Sequence, residues 1–157
     1  MALISMQGIS LAFIGPPLFD DINLTVERGE KVGLVGRNGA GKSTLMRLIE
    51  GSAKPNSGVV ALQKGAVSAY LSQEVPQELP GTVYASGSKG HASLTSHDSS
   101  QNAALQVSKS LSQLGLDADV LFSSLSAGLK RRVLLKKALL GEPDILLLDE
   151  PTNHMDI

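Results

Sequence analysis

Residues 36–43 read Gly-Arg-Asn-Gly-Ala-Gly-Lys-Ser, a complete G-x-x-x-x-G-K-S run, and no other feature restricts the fold so much. Gly36, Gly39 and Gly41 let the backbone turn tightly and present its amides inward. Such a curl of N–H groups at the start of a helix is a ready-made anion site. Lys42 is placed to reach the β- and γ-phosphates of a nucleoside triphosphate, and the Ser43 hydroxyl to ligate Mg²⁺. The context required of the motif is a strand before it and a helix after it. Lys31–Val35 is predicted as that strand. Lys42–Glu50 carries Leu45, Leu48 and Ile49 at helical spacing, with Gly51 as its stop.

A second chemical element lies near the C-terminal end. Asp144–Leu148 is a near-continuous apolar run, as expected of a strand buried on both faces, and it delivers Asp149 and Glu150 at its C-terminal end. Open parallel sheets bind ligands beyond the strand C-termini. Asp149 is therefore placed to hold Mg²⁺ through water, and Glu150 to polarise an attacking water.

The rest of the chain supplies the frame. Leu3–Met6 and Leu11–Ile14 are predicted as short strands, with Gly15-Pro16-Pro17 breaking the second. Ile22–Val26 alternates as a half-buried strand does, and Arg28-Gly29-Glu30 reads as a turn. Lys54–Gly58 is a turn, followed by Val59–Leu62 and Val67–Leu71, expected to form a strand pair. Ala85–Asn102 holds six serines and two glycines, and the segment 84–102 is read as a flexible loop. Ala103–Leu114 regains helical spacing. A helix from about Ala127 to Leu140 follows, with Ser126 as N-cap candidate and Gly141 at its end. Strands alternating with helices predict an α/β fold with a mainly parallel sheet flanked by helices, over residues 1–157 as one domain.

Composition excludes several classes. The 157 residues carry 14 basic and 15 acidic side chains, a net charge of −1, which gives no prior for nucleic acid or an anionic membrane. Without cysteine there is no disulfide and no thiolate metal site. The start lacks a signal-peptide pattern, and the apolar runs fall far short of the ~20 residues a membrane helix needs; the expected compartment is the cytoplasm. His91 and His97 lie in the polar loop with Asp98 as the only acidic neighbour, and no metal site is expected there. The basic cluster Lys130–Arg132 with Lys136 and Lys137 reads either as a solvated helix face, the commoner explanation, or as an RNA contact.

Leu125-Ser126-Ala127-Gly128-Leu129-Lys130-Arg131-Arg132 resembles the signature of the ABC ATPase superfamily, LSGGQ followed by a nearby Arg. Ser126 and Gly128 match, Ala127 replaces a glycine and Leu129 a glutamine. Pro151-Thr152-Asn153-His154-Met155-Asp156 resembles the D-loop, in wording like that of the ABC-F branch. Val35–Met46 and Leu121–Arg132 look most like Uup-type members of that branch. The resemblance implies a P-loop NTPase with a small N-terminal antiparallel β part and a shortened helical subdomain. It implies that Phe13 stacks on adenine and that Gln73 senses Mg²⁺. It also implies that amides from Asn38 through Ala40 to Thr44 hold the phosphates. Ser126 and Gly128 would serve the nucleotide of a second nucleotide-binding domain, a homodimer mate or a sister domain.

The chain also departs from the family pattern. Family domains continue past the D-loop to a switch histidine, which His154 does not represent, so hydrolysis is in question even where ATP binds. Only 52 residues separate Gln73 from Ser126, where a longer helical subdomain is usual. The basic linker that joins two ABC-F domains is not in this sequence. Three readings follow: an ABC-F-type ATPase tied to the ribosome or RNA, the ATPase subunit of a transporter docked to a membrane permease, or a truncated nucleotide-binding fragment without turnover. A free edge on the strand Asp144–Leu148 would make the chain modestly stable or self-associating.

Overall fold

A computed structural model of the chain describes residues 2–74, 108–109, 111–113, 115–117 and 119–151. The predicted loop 84–102, the D-loop residues after Pro151, and His91, His97 and His154 lie outside them, as does most of the helical stretch predicted at Ala103–Leu114.

The N-terminal part is an antiparallel sheet of three strands in which β1 (Ala2–Leu11) lies between β2 (Phe19–Glu27) and β3 (Ser57–Leu62). β1 is one strand where two were predicted. Ile4 and Met6 are buried in period two, and so are Ile9 and Leu11, but the phase slips between the pairs. A register irregularity against β2 between Met6 and Ile9 absorbs the slip, so all four side chains reach one core. Gly58 of β3 meets this irregularity closely. It has φ 90°, and a Cβ there would collide with the carbonyls of Gln7 and Gly8. The predicted strand at Leu11–Ile14 does not form: Phe13 is 73% exposed and Ile14 fully so.

β4 (Ser68–Leu71) and β5 (Ile145–Leu148) form a parallel pair with Ser68 opposite Ile145 and Leu71 opposite Leu148. β3 and β4, expected to pair with each other, belong to different sheets. A turn closed by Ala66 N–H donating to Gln63 O at 2.9 Å sends the chain from one sheet to the other. Among the described residues the parallel sheet therefore comprises two strands, separate from the antiparallel sheet of three.

α1 (Lys42–Glu50) buries Leu45, Leu48 and Ile49 against the antiparallel sheet and Ile145 of β5. Leu48 is 2% exposed, and a leucine buried to this degree contributes about 1.5–3 kcal/mol. Arg47 sits in its last turn, where its charge suits the helix dipole, and Gly51 closes it in the left-handed region. α2 (Ala127–Leu140) opens on Ser126, whose Oγ accepts from Leu129 N–H at 3.3 Å. A 3₁₀ turn, Phe122–Ser124, precedes it, and Phe122, Leu125, Val133 and Leu111 make a second, smaller core.

Two further expectations are corrected. Lys31–Val35 has no strand pairing; Val32 is 54% exposed and Val35 fully exposed. A strand needs a ladder partner, and β5 is paired with β4 alone among the described residues. The apolar run before Asp149 is less enclosed than predicted: Ile145 is buried, whereas Leu146–Leu148 are half-buried. No helix among the described residues is long and apolar enough to cross a membrane.

Candidate functional site

The glycine-rich loop is exposed from Gly36 to Ala40 and tightens into α1. Gly39 and Gly41 adopt φ 82° and 94°, and Gly41 is the N-cap of the helix. A Cβ on Gly41 would lie 2.7 Å from Cε1 of Phe19, so β2 and the loop approach this closely only because residue 41 has no side chain. Ala40 N–H donates to Arg37 O at 3.1 Å, which closes the turn. The Lys42 ammonium bends back over the loop and donates to Gly36 O at 2.8 Å and Arg37 O at 3.2 Å. It thus folds back onto the carbonyls of its own loop. Ser43 and Thr44, in the first turn of α1, are half-buried.

The register of the parallel pair brings the acidic end to Gln73. Gln73 Nε2 donates to Glu150 Oε2 at 2.9 Å. Asp149 is 3% exposed and its Oδ2 accepts from the Tyr70 hydroxyl at 3.1 Å. Burial, then the bond to Asp149, pushes the Tyr70 hydroxyl above its ordinary value of 10.0, with Arg47 pulling the other way. Glu150 holds φ 46°, a conformation unusual for a residue with a side chain and of a kind that collects at functional sites.

Lys42, Asp149 and Glu150 line one cleft of about 820 Å³, whose walls include Val32, Leu34 and Leu45. Of the other predicted site residues, Gly36, Asn38, Gly39, Ala40, Gly41, Ser43, Thr44 and Gln73 do not line it, nor do Phe13, Ser126 and Gly128. Phe13 is on the exposed segment after β1 rather than in the core. Ser126 is exposed at the start of α2, and Gly128 is half-buried. The fold thus brings Lys42, Asp149 and Glu150 to one cleft and Gln73 to Glu150 alone, and leaves Phe13, Ser126 and Gly128 apart from them.

The residues suit a hard cation. A hydroxyl, an amide and a carboxylate oxygen are the donors Mg²⁺ prefers, and Mg²⁺ ordinarily takes one or two carboxylates and completes its shell with phosphate and water oxygens. Among the described residues there is no group of three or more His, Cys, Asp or Glu that could hold a metal by itself.

Tyr70 carried no recognisable signal in the sequence, and for Arg131 the nearby arginine of the family signature gave no sign of burial. Tyr70 reads as an ordinary strand residue. Arg131 reads as part of a basic triad on a solvated or RNA-facing helix surface, and that expectation is corrected. Arg131 is 0% exposed and Lys130 6%, the latter with its ammonium 5.8 Å from the Phe122 ring centroid. Arg132 alone of the three is exposed.

An α/β domain in which a glycine-rich loop opens a helix and the loop's lysine shares a cleft with two strand-end carboxylates is a P-loop nucleotide-binding domain. This chain belongs to the ABC transporter family, whose model matches residues 19–153. It is 38% identical to the ATP-binding protein Uup of Escherichia coli, over all of this chain and 30% of that protein. It is 33% identical to ABC transporter F family member 5 of Arabidopsis thaliana, over 98% of this chain and 28% of that one. It thus spans less than a third of the length of these two relatives. Among solved structures, cbiO1 from Clostridium perfringens, part of the ABC transporter complex cbiONQ, superposes with a TM-score of 0.77 at 26% identity. That match covers 99% of this chain and 68% of the other.

Proposed function

We propose that this domain binds MgATP on Gly36–Ser43 and hydrolyses it as one half of a head-to-tail pair of nucleotide-binding domains. The observation that carries the reading is the common cleft of Lys42, Asp149 and Glu150, with Gln73 bonded to Glu150. Phosphoryl transfer requires little covalent chemistry from a protein; positioning and electrostatics do most of the work.

In this reading Phe13 stacks on adenine. Amides of Asn38, Gly39, Ala40, Gly41, Lys42, Ser43 and Thr44 hold the phosphates, with the Lys42 ammonium exchanging its loop carbonyls for β- and γ-oxygens. Ser43 and Gln73 hold Mg²⁺, with Asp149 behind them; the bound ion supplies neutralisation of phosphate charge. Glu150 orients the attacking water and draws off its proton, while Gln73 steadies its carboxylate. Ser126 and Gly128 of a second domain close the site over the γ-phosphate, so an isolated monomer is nearly inactive. Ala127 puts a methyl group where that approach must be close.

The similarity to Uup and to the plant F-type protein, together with the PTNHMD segment, supports an ABC-F role: a cytoplasmic ATPase connected with the ribosome and translation. A second reading, the ATPase subunit of a transporter docked to a permease, is supported by the likeness to cbiO1. Recovery of tagged protein with ribosomes or with membrane permease separates the two.

The test of the site itself is MgATP turnover as a function of protein concentration. A second-order rise supports catalysis and pairing together. Binding without turnover at any concentration rejects the hydrolytic half of the proposal.

A further inference from the structure

Arg131 is among the largest fully buried side chains in the domain, yet its partners are not carboxylates. Nη2 donates to Asp149 O at 2.7 Å and Glu150 O at 2.5 Å, Nε to Pro151 O at 3.2 Å and Nη1 to Gln73 O at 3.0 Å. One guanidinium on α2 therefore gathers four main-chain carbonyls from just beyond the C-terminal ends of β4 and β5. Burying a cation is costly unless its donors are satisfied. Here the planar fork of five N–H groups meets carbonyl oxygens at several angles, a task Lys cannot match with a compact ammonium.

The gripped residues are those that carry the chemistry. Three successive carbonyls, 149 to 151, are held around Glu150, whose φ of 46° persists only if its surroundings over-determine it. The fourth carbonyl belongs to Gln73, whose side chain meets the Glu150 carboxylate. We propose that Arg131 is a positioning residue for hydrolysis, fixing the backbones of Gln73 and Asp149–Pro151 so that the Gln73 amide and the Glu150 carboxylate meet. It rests on the MgATP reading above and assigns a residue that reading does not use.

The placement has a further consequence. Arg131 lies five residues after Ser126 on α2, about 7.5 Å along the axis. The helix end that would engage a partner domain's phosphate is thereby rigidly tied to this domain's own water-orienting carboxylate.

The test uses Arg131→Lys, which keeps the charge and removes the fork. Hydrogen exchange is measured across the chain, and MgATP affinity and turnover are measured alongside. The expected result is loss of protection at residues 72–74 and 148–151 together. Turnover should fall about 10- to 100-fold, because small misplacement of a catalytic group is enough to do so. Affinity should fall much less than turnover, since the phosphate loop is untouched and only the backbone behind Gln73 and Asp149 loosens. Unchanged exchange at either segment overturns the proposal, as does unchanged turnover, or a loss of affinity in step with turnover. If the Lys variant does not fold, Arg131→Gln repeats both arms; failure of both to fold overturns a positioning role in favour of structural support. Absence of turnover in the parent chain sinks the ATPase reading instead, and the exchange arm then decides the tie on its own.

Discussion

The side-chain amide of Gln73 donates to the Glu150 carboxylate across 2.9 Å, joining residues 77 positions apart. The contact follows from register. Leu71 is opposite Leu148 in the parallel pair, and Gln73 and Glu150 each lie two residues past that last rung. A slip of one residue would turn every side chain of β5 to the opposite face and carry Asp149 out of its contact with Tyr70. The buried Ile145 at the start of β5 and the Asp149 N–H bonded to Leu71 O at 3.0 Å guard against it.

Glu150→Gln tests the assigned chemistry most directly. The substitution keeps size and a carbonyl oxygen for Gln73, and removes the group that accepts a proton. Loss of a positioned general base lowers turnover about 10²- to 10⁴-fold. Nucleotide affinity should be unchanged, because no phosphate contact is removed. Steady-state phosphate release with MgATP, beside a binding isotherm, reads both. Equal turnover in parent and variant, in an active preparation, rules Glu150 out.

Lys42→Ala should act on affinity. The ammonium makes charge-assisted contacts that are worth about 1.5–3 kcal/mol each, so MgATP should bind roughly 10- to 100-fold more weakly. Titration calorimetry of folded variant and parent measures the difference. The same ammonium closes the loop on Gly36 and Arg37, so the free variant's loop should also exchange its amide hydrogens faster. Parent-like affinity in the variant would dismiss the loop as a phosphate site.

The parts of this site that were legible in the sequence are those in which function dictates a residue type. A phosphate-binding loop needs glycines, one ammonium and one hydroxyl in fixed order, so Gly36 to Ser43 stood out as a motif, and helix α1 after it was evident. Ser126 was equally plain, because an N-cap is a local contact. What escaped was non-local. Lys31–Val35 has strand-like composition, but strand formation depends on a neighbour that composition cannot supply. The slip at Gln7–Gly8 broke the alternation, so the first predicted strand ended at Met6 although β1 runs on to Leu11. Arg131 sits in a basic triad, and only the carbonyls converging from two distant strand ends make burial the better state for it. Tyr70 gives no sign in the sequence that its hydroxyl meets Asp149.

Asp144 gives a pH prediction with a definite sign. Val67 N–H donates to its Oδ2 at 3.0 Å, and Arg28 pairs with its Oδ1 at 2.7 Å. The first contact, then the second, holds the carboxyl below its ordinary value of 3.8. A depressed carboxylate contributes stability that is fully present above the unfolded value and is lost as pH falls through the folded one. Asp144→Ala should therefore lower the thermal midpoint by a constant small margin above about pH 5. That margin should shrink steadily in more acidic buffer. A gap that widens as the buffer is acidified would refute the assignment.

Gly41→Ala separates backbone strain from overpacking at the phosphate loop. Residue 41 has φ 94°, which costs a residue with a Cβ about 1–2 kcal/mol. Its new methyl would also stand 2.7 Å from the Phe19 ring and 3.2 Å from Leu18 Cγ. Phe19 is 6% exposed and its ring has little room to retreat, so overpacking should add roughly 1–3 kcal/mol. Gly29 has φ 83° with nothing within 4 Å of a Cβ, so Gly29→Ala isolates the backbone cost. The denaturation midpoint should fall clearly further for Gly41→Ala than for Gly29→Ala, and Phe19→Leu in the Gly41→Ala background should recover part of the difference. Equal losses in the two single variants would mean that the ring yields freely and that the close approach of β2 does not constrain the loop.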